Sequence, residues 1–335
     1  MRKSVLLALA LAALGTLLLS LGSAQNKQPI IGLITKTESN PFFVKMKEGA
    51  QQAATRLGAK LLSGAGKTDG DNAGQVAALE NMVAAGAQTI LITPSDSKAI
   101  VPAIQKARAA GVMVIALDSP TEPASAVDAL FATNNYQAGV LIGQYAKAAM
   151  AGKPVKIATL DLFPGQPVGI ARHNGFLAGF GVAGITDKTA QQATAPQVVC
   201  SQDTFGDQAK GQTAMENCLQ KDPGINLVYT INEPAAAGAY QALKAAGKEK
   251  DVLIVSVDGG CAGVRNVKAG IIGATSQQYP LKMAELGVEA GVNYAKTGKK
   301  VSGYTDTGVT LITDKALPGV NSKDTAFGLA NCWGQ

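Results

Sequence analysis

Histidine and tryptophan are almost missing from this sequence of 335 residues, which contains one of each. Because His173 is the only histidine, a Ser-His-Asp or Cys-His catalytic system could use no other residue as its base. The sequence also lacks metal-binding pairs of the His-x-x-x-His and Glu-x-x-His kinds, and it has no paired Cys-x-x-Cys spacing. We therefore expect a protein that is not an enzyme and that carries no metal ion.

Charged residues are also few, at 16% of the chain, whereas apolar residues make up 47%. The charged residues that give the net charge of +6 are scattered along the sequence. No run of basic residues could bind a series of phosphate groups, so we expect no nucleic-acid partner. A chain this apolar folds into well-buried layers instead of staying disordered. After the N-terminal segment, no stretch is long and apolar enough to predict a membrane span.

The one long apolar run lies at the N-terminus. Arg2 and Lys3 precede it, and the small residues Gly22-Ser23-Ala24 follow it. This pattern is typical of a secretory signal peptide, predicted here as 1–24 with cleavage near Ala24, and it predicts a periplasmic or otherwise extracytoplasmic protein. A membrane anchor is the alternative, because the run approaches the ~20 apolar residues that span a bilayer.

The four cysteines are Cys200, Cys218, Cys261 and Cys332. Disulfides persist in the oxidising compartment that export implies, and four cysteines allow three pairings, among which sequence alone cannot select. We favour Cys200–Cys218, which closes a short loop, and Cys261–Cys332, which would tie the C-terminal tail to a loop after a strand. A zinc site is the weaker alternative.

From Pro29 onward the chain repeats a short apolar strand, a turn and an Ala-rich amphipathic helix. The predicted strands are 30–34, 60–63, 89–92, 112–117, 156–160, 227–230, 252–257 and 271–274. The predicted helices are 43–57, 74–85, 98–110, 137–150, 168–179, 208–219, 234–246 and 281–297. Continuous apolar strands that alternate with helices predict the doubly wound α/β class, with parallel sheets covered on both faces. The length beyond the signal peptide predicts two domains of ~150 residues.

Two glycine motifs resemble nucleotide sites by spelling alone. Gly179-Phe180-Gly181-Val182-Ala183-Gly184 follows a predicted helix, whereas a dinucleotide fingerprint follows a strand and opens a helix. Gly66-Lys67-Thr68 lacks the leading glycine of a phosphate-binding loop, which would stand at Leu61. We assign them to a helix end and a polar turn, and we expect no cofactor.

Polar side chains cluster directly after the predicted strands, where ligands bind in open α/β sheets. Carboxylate, amide and hydroxyl groups dominate these segments, and such groups suit a ligand made of hydroxyls. The segments are 36–43, 93–96, 118–119, 161–167, 232–234, 258–260 and 276–278.

The stretch Asn40-Pro41-Phe42-Phe43-Val44-Lys45-Met46-Lys47-Glu48-Gly49-Ala50 resembles the ribose-type periplasmic sugar-binding proteins of ABC importers, and the likeness covers nearly the whole mature chain. Further matches are Thr93-Pro94-Ser95-Asp96-Ser97, Ala116-Leu117-Asp118, Arg172 before Asn174-Gly175-Phe176, Asn232-Glu233-Pro234 and Asp258-Gly259. Three stretches, 229–240, 256–261 and 273–280, are more similar to the fructose-binding members.

The resemblance implies the fold of a type I periplasmic binding protein, in which two doubly wound parallel-sheet lobes are joined by a three-strand hinge. The N-terminal lobe would comprise 28–133 plus 279–305, and the C-terminal lobe 134–278 plus 306–335. The sugar would lie in the cleft between the lobes, which close over it by hinge motion.

By the same resemblance, one set of residues matches hydrogen-bonding positions of the cleft, and Phe42 and Phe43 match apolar positions against which a sugar face can lie. The hydrogen-bonding set is Asn40, Asp118, Arg172, Asn232, Asp258 and Gln278. Helix-start packing for the two phenylalanines, and helix capping for the aspartates, are the structural alternatives.

Two positions depart from the ribose-type pattern, which predicts a pocket different from a standard ribose pocket. Lys36 stands where the ribose-type proteins have a small hydroxyl residue, and we include it in the predicted site. Ser119 stands where they have an arginine, so the planar guanidinium group with its N–H donors is absent. Phe205 aligns only loosely with the aromatic residue of the C-terminal lobe, and Asp161 and Gln166 are weaker candidates.

The resemblance therefore predicts a monomeric receptor that captures a monosaccharide, with fructose favoured, and delivers it to the membrane permease of an ABC importer. Ribose, mannose, a polyol or a furanose-like signal are alternative ligands. A sensory partner of a membrane receptor and a sugar hydrolase are alternative functions.

Overall fold

The computed structural model describes residues 27–334, so the predicted signal peptide lies outside the described residues. The strands, in chain order, are β1 (Ile30–Thr35), β2 (Lys60–Ala65), β3 (Thr89–Ile92), β4 (Met113–Leu117), β5 (Ala129–Ala132), β6 (Ile157–Asp161), β7 (Val198–Asp203), β8 (Leu227–Thr230), β9 (Leu253–Asp258), β10 (Ala274–Gln277), β11 (Gly303–Asp306) and β12 (Thr310–Ile312). The α-helices are α1 (Pro41–Leu57), α2 (Asn72–Ala84), α3 (Val101–Ala109), α4 (Asn135–Ala149), α5 (Pro167–Phe180), α6 (Gln208–Lys221), α7 (Glu233–Ala245), α8 (Cys261–Lys268), α9 (Pro280–Thr297) and α10 (Thr325–Asn331). Across 27–334, no helix combines the length and the apolar character that a bilayer crossing requires.

The strands form two six-stranded sheets, in the orders β11-β5-β4-β3-β1-β2 and β12-β10-β9-β8-β6-β7. All neighbouring strands are parallel except β12, which runs antiparallel to β10. We call the layers around the first sheet the N-lobe and those around the second sheet the C-lobe. The structure thus confirms the predicted class of two parallel-sheet α/β lobes.

Helices cover both faces of each sheet, and this explains the continuous apolar strands. In the N-lobe, α1 and α9 bury one face while α2 and α3 bury the other. In the C-lobe, α4 and α5 lie on one face, and α6, α7 and α8 lie on the other. Every residue of β3, β4, β6 and β8 is buried as a result.

The chain passes between the lobes three times, at 133–134, 278–279 and 307–309. The last crossing separates β11, the edge strand of the first sheet, from β12, the edge strand of the second. Both lobes therefore depend on chain segments that are distant in sequence.

Glycine supplies the left-handed backbone that the predicted helix ends require. Gly58, Gly86, Gly111 and Gly247 have φ values of 70°, 81°, 87° and 68°, which confirms the assignment made from their places after helices. Gly181 likewise ends α5 with a φ of 106°, so the motif that resembles a dinucleotide fingerprint is a helix end, as predicted.

The prediction of the strand 271–274 is wrong, because the strand is β10, three residues further on. Ile272 is buried, yet pairing with β9 begins only at Ala274, opposite Val255. β10 then continues through polar residues that are fully buried. The apolar run belongs to a loop that packs into the core, whereas the strand itself consists mainly of polar residues. The short strands β5, β7, β11 and β12 and the helices α8 and α10 were not predicted.

Both favoured disulfides are present, Cys200–Cys218 and Cys261–Cys332, and no free cysteine remains in the described chain. The first joins β7 to α6 within the C-lobe. The second holds the end of α10 against the start of α8, which fixes the tail that carries Trp333.

Four glycines bring α4 and α5 into unusually close contact. A Cβ at Gly139 or Gly143 would collide with a backbone oxygen of α5, and a Cβ at Gly175 or Gly179 would collide with a backbone oxygen of α4. The obstacles are main-chain atoms, so a side chain cannot turn aside to make room. This contact sets the position of α5, the helix that carries Arg172.

Gly175→Ala is expected to lower the free energy of unfolding by about 2 kcal/mol, because overpacking against a rigid backbone typically costs ~1–3 kcal/mol. Urea denaturation followed by circular dichroism measures this change. Gly224→Ala is the matched control, since the nearest atoms to its Cβ are the side-chain ends of Asp222 and Lys156. Equal stability of the two variants would contradict the close helix contact.

Candidate functional site

The carboxyl ends of the strands of both sheets face one another across a small cavity of about 50 Å³. All nine residues predicted for the ligand site line it: Lys36, Asn40, Phe42, Phe43, Asp118, Arg172, Asn232, Asp258 and Gln278. Five further residues, which are not among the predicted ones, complete the lining: Asp69, Leu162, Val168, Gly206 and Ile231. Residues that are far apart in sequence thus converge on one enclosed space.

The N-lobe side of the cavity carries three charged residues. Lys36 follows β1, Asp69 lies in the loop after β2, and Asp118 follows β4. Lys36 Nζ lies 3.6 Å from Asp69 Oδ2, and the lysine side chain is only 3% exposed. Burial raises the pKa of Asp69; the charge of Lys36 acts in the opposite direction, and the charge of Asp118 adds to the rise.

The C-lobe side centres on Arg172 of α5. Its Nε donates a 2.7 Å hydrogen bond to Asn135 Oδ1, and its Nη1 donates a 3.0 Å hydrogen bond to the backbone oxygen of Ile231. The same Nη1 lies 3.7 Å from Asp258 Oδ1, which accepts a 2.7 Å hydrogen bond from Gln278 Nε2. Burial raises the pKa of Asp258, while the charge of Arg172 acts against that rise.

Backbone strain is concentrated at this cleft. Within residues 27–334, the non-glycine residues with positive φ are Asp118 at 63°, Phe205 at 54° and Asp258 at 147°. Two of them line the cavity, and the third lies at its rim. Such conformations persist where the surrounding structure enforces them, and they cluster at binding and catalytic sites.

Glu233 supports the C-lobe side and is not among the predicted site residues, although it belongs to the motif Asn232-Glu233-Pro234. Its Oε1 accepts hydrogen bonds from Gly259 N at 2.9 Å and from Thr275 Oγ1 at 2.8 Å, and its Oε2 accepts one from Gly260 N at 3.0 Å. These bonds fix the turn that directly follows Asp258. Burial raises the pKa of Glu233, and the neighbouring Asp258 raises it further.

The apolar lining differs between the lobes. Phe42 meets Phe43 and Trp333 edge to face, each at a centroid distance of 5.3 Å, and the Trp333 indole donates to the backbone oxygen of Gln278. On the C-lobe side the apolar lining is aliphatic: Leu162, Val168 and Ile231. One face of a guest would therefore meet phenylalanine, and the opposite face would meet branched aliphatic groups.

Phe205 does not belong to the cavity lining. It is 40% exposed at the rim, where its ring stacks on Phe163 at a centroid distance of 4.9 Å. Asp161 and Gln166 also lie outside the lining. Asp161 Oδ1 contacts His173 Nδ1 at 2.8 Å, while Gln166 Nε2 donates a 2.9 Å hydrogen bond across the cleft to the backbone oxygen of Ser95 in the N-lobe.

Two of the predicted asparagines are helix caps as well as lining residues. Asn40 Oδ1 accepts from Phe42 N at the start of α1. Asn232 Oδ1 accepts from Ala235 N at the start of α7, and its Nδ2 donates to the backbone oxygen of Gly206. Capping therefore accounts for part of the hydrogen-bonding capacity of both side chains.

Three buried acceptors at the cavity have no hydrogen-bond partner among residues 27–334: Asp69 Oδ1, Asp118 Oδ1 and Gln278 Oε1. A buried polar atom without a partner costs ~1–3 kcal/mol, so each of them favours a guest that supplies a donor. A compact neutral molecule with hydroxyl groups on opposite edges fits this arrangement. Within the same residues, no cluster of three potential metal ligands occurs.

Comparison with known proteins agrees with this geometry. Residues 31–300 match the family described as periplasmic binding protein domain. The ribose import binding protein of Bacillus subtilis is 32% identical over 293 residues, which cover 88% of this chain and 90% of that protein. The D-allose-binding periplasmic protein of Escherichia coli is 28% identical over 275 residues, or 80% and 85% of the two chains.

A solved structure of an ABC transporter periplasmic solute binding protein from Actinobacillus succinogenes, with bound D-allose, superimposes with a TM-score of 0.75 at 27% identity. The match covers 85% of this chain and 98% of that one. Because the family match spans most of the sequence and the Bacillus relative is matched along nearly its whole length, this chain belongs to the periplasmic binding protein domain family.

Proposed function

We propose that this protein captures a monosaccharide in the cavity between its lobes and delivers it to the permease of an ABC importer. The observation that carries the proposal is the convergence of unpartnered, buried hydrogen-bonding atoms from both lobes on one cavity. Hydrogen bonds to charged groups are about twice as strong as neutral ones, so carboxylates and an arginine suit the recognition of hydroxyl groups. Relatives whose names specify ribose import and D-allose binding support the same ligand class.

Fructose is the sugar that we propose first, with ribose and mannose as alternatives. The support is the sequence resemblance of 229–240, 256–261 and 273–280 to fructose-binding members, together with Lys36 and Ser119 at positions that distinguish the pocket. Lys36 brings a long donor into the cavity, and it lies on the same side as Asp69. A furanose-like signal would engage the same groups and is tested by the same measurement.

The proposed mechanism is closure of the lobes around the sugar. Arg172, Asp258 and Gln278 hold one edge of the guest, and Lys36 and Asp118 hold the other. A ligand shifts the equilibrium between open and closed forms only by its differential affinity for them, and contacts to both lobes exist only in the closed form. The hydrogen bond from Gln166 Nε2 to the backbone oxygen of Ser95 is a further contact between the lobes.

We propose a binding role and not a hydrolytic one, and we propose that the protein works as a periplasmic monomer. The only histidine is buried away from the cavity, where its ring nitrogens lie 2.8 Å from Asp161 Oδ1 and 2.9 Å from the backbone oxygen of Ala193. This pairing holds the segment before β7 against α5. The carboxylates of the cavity act as hydrogen-bond acceptors for hydroxyl groups.

Isothermal titration calorimetry against fructose, ribose, mannose, glucose and galactose tests the function. We expect saturable heat with at least one sugar and the tightest binding with fructose, since the polar groups form a preorganised hydroxyl site. Absence of heat with every monosaccharide would overturn the proposed function. Tightest binding of another sugar would overturn only the fructose assignment.

Asp258→Asn is expected to weaken sugar binding by about 2 kcal/mol, or roughly 30-fold, because the variant loses a charged acceptor beside Arg172. The variant keeps the size of the side chain and an oxygen that can accept from Gln278. Calorimetry of the native protein and the variant gives the ratio. The exposed Asp187→Asn is the control, and unchanged affinity in Asp258→Asn would show that the assigned cavity does not bind the sugar.

A further inference from the structure

A buried lysine and two carboxylates line the N-lobe side of the cavity. The strand order places β1, which ends at Lys36, next to β2, which leads to Asp69, and two positions from β4, which leads to Asp118. Lys36 and Asp118 are 3% and 5% exposed. We call these three residues the charged triplet, and their use as a unit goes beyond the individual hydrogen bonds discussed above.

The ammonium group of the triplet has spare hydrogen-bonding capacity. In the described chain, Lys36 Nζ makes one ion pair, to Asp69 Oδ2 at 3.6 Å. That distance is longer than a hydrogen bond, and an ammonium group carries three N–H donors. A buried ammonium is stabilised when its donors are used. The cavity is the space toward which these donors can be directed.

The two carboxylates each keep one acceptor free. Asp69 Oδ2 faces the ammonium and Asp118 Oδ2 accepts from Ser119 Oγ at 3.0 Å, whereas Oδ1 of both residues is buried without a partner in 27–334. Asp118 keeps this position at a φ of 63°, which is costly for a residue other than glycine. The strain and the free acceptors both favour a guest at this point.

A pair of hydroxyl groups matches the triplet better than a single one does. Each hydroxyl group can donate one hydrogen bond and accept from a donor. Two adjacent hydroxyls could donate to Asp69 Oδ1 and to Asp118 Oδ1, while both accept from the ammonium group of Lys36. One hydroxyl has a single hydrogen and would leave one carboxylate oxygen unpartnered.

We infer that Lys36, Asp69 and Asp118 form a clamp for two adjacent hydroxyl groups of the sugar, and that the Lys36–Asp69 pair decides which monosaccharides the protein selects. The inference assigns Asp69, which no sequence argument identified, as a specificity residue. It rests on the proposed function, since a guest with no hydroxyl groups would have no use for the clamp. The clamp favours sugars with a vicinal diol at the edge that faces the N-lobe.

A cycle that combines protein variants with ligand analogues tests the clamp. Native protein is titrated calorimetrically with D-fructose, D-ribose and D-allose, and then with the monodeoxy analogues of whichever sugar binds most tightly. Two analogues that lack neighbouring hydroxyls should each bind about tenfold more weakly or worse, because each loses a hydrogen bond to a charged group. The double variant Lys36→Met/Asp69→Ala removes both charges together. In this variant, at least one of the two deoxy analogues should bind as tightly as the parent sugar does, and the loss of affinity of the other should become smaller.

The matched control is Lys106→Met/Glu80→Ala, the same type of substitution in an exposed ion pair of 3.2 Å on the N-lobe surface. It should reproduce the native pattern. Thermal melting confirms that each variant folds. If the double variant does not fold, Asp69→Asn replaces it, because asparagine keeps the size of the side chain. Asp69→Asn should reduce the loss of affinity for one of the two deoxy analogues.

The outcomes separate the inference from the function on which it rests. If native protein binds no monosaccharide, the proposed function fails, and the clamp fails with it. If sugars bind but the folded variants show the native losses unchanged, or weaken every sugar by the same factor, the clamp is wrong and sugar binding stands. Losses at hydroxyls that are not adjacent would also overturn the clamp.

Discussion

The structure of the cavity depends on the free-energy cost of burying charged side chains between the two lobes. Arg172 and Asp258 on one side, and Lys36 and Asp69 on the other, lie as ion pairs of 3.7 and 3.6 Å around one cavity. A buried ion pair is weakly stabilising by itself, because desolvation offsets the attraction between the charges. In the proposed function, a guest would use the donors and acceptors that these pairs leave free. Asp118, which carries one of the free acceptors, and Asp258, which pairs with Arg172, also have positive φ values of 63° and 147°.

Much of the rest of the fold serves to hold these groups in place. The glycine contact between α4 and α5 places Arg172 next to Asn135, and Glu233 anchors the turn after Asp258 through two backbone amides. The disulfide Cys261–Cys332 brings Trp333 against Phe42, so the C-terminal tail completes the aromatic side of the cavity. Groups that would contact a ligand are thereby rigid before a ligand arrives, which reduces the entropy lost on binding.

The sequence predicts the architecture well, because buried parallel strands are continuous apolar runs and their carboxyl ends are marked by polar residues. The prediction fails where a buried strand is itself made of polar residues, or where a polar loop gives no sign that it lies at the cavity. β10 is entirely buried but has the sequence Ala-Thr-Ser-Gln, and most of its side-chain polar atoms find partners inside the core. Thr275 donates to Glu233, Ser276 to the backbone of Ala138, and Gln277 Nε2 to the backbone of Gly259 and Gly328. No periodicity of hydrophobicity can reveal such a strand. Asp69 is not predicted from the sequence for a related reason. The loop after the partly exposed β2 has the composition of an ordinary polar turn, and the ion pair between Asp69 and Lys36 is visible only in the folded structure.

The placement of the edge strands has a consequence for biosynthesis. β11 completes one sheet and β12 completes the other, and both lie close to the C-terminus. Until β11 and β12 have been synthesised, each nascent sheet lacks its sixth strand, so neither lobe can reach its final form before residues 303–312 have left the ribosome. The N-lobe therefore completes its sheet only after most of the C-lobe has been synthesised.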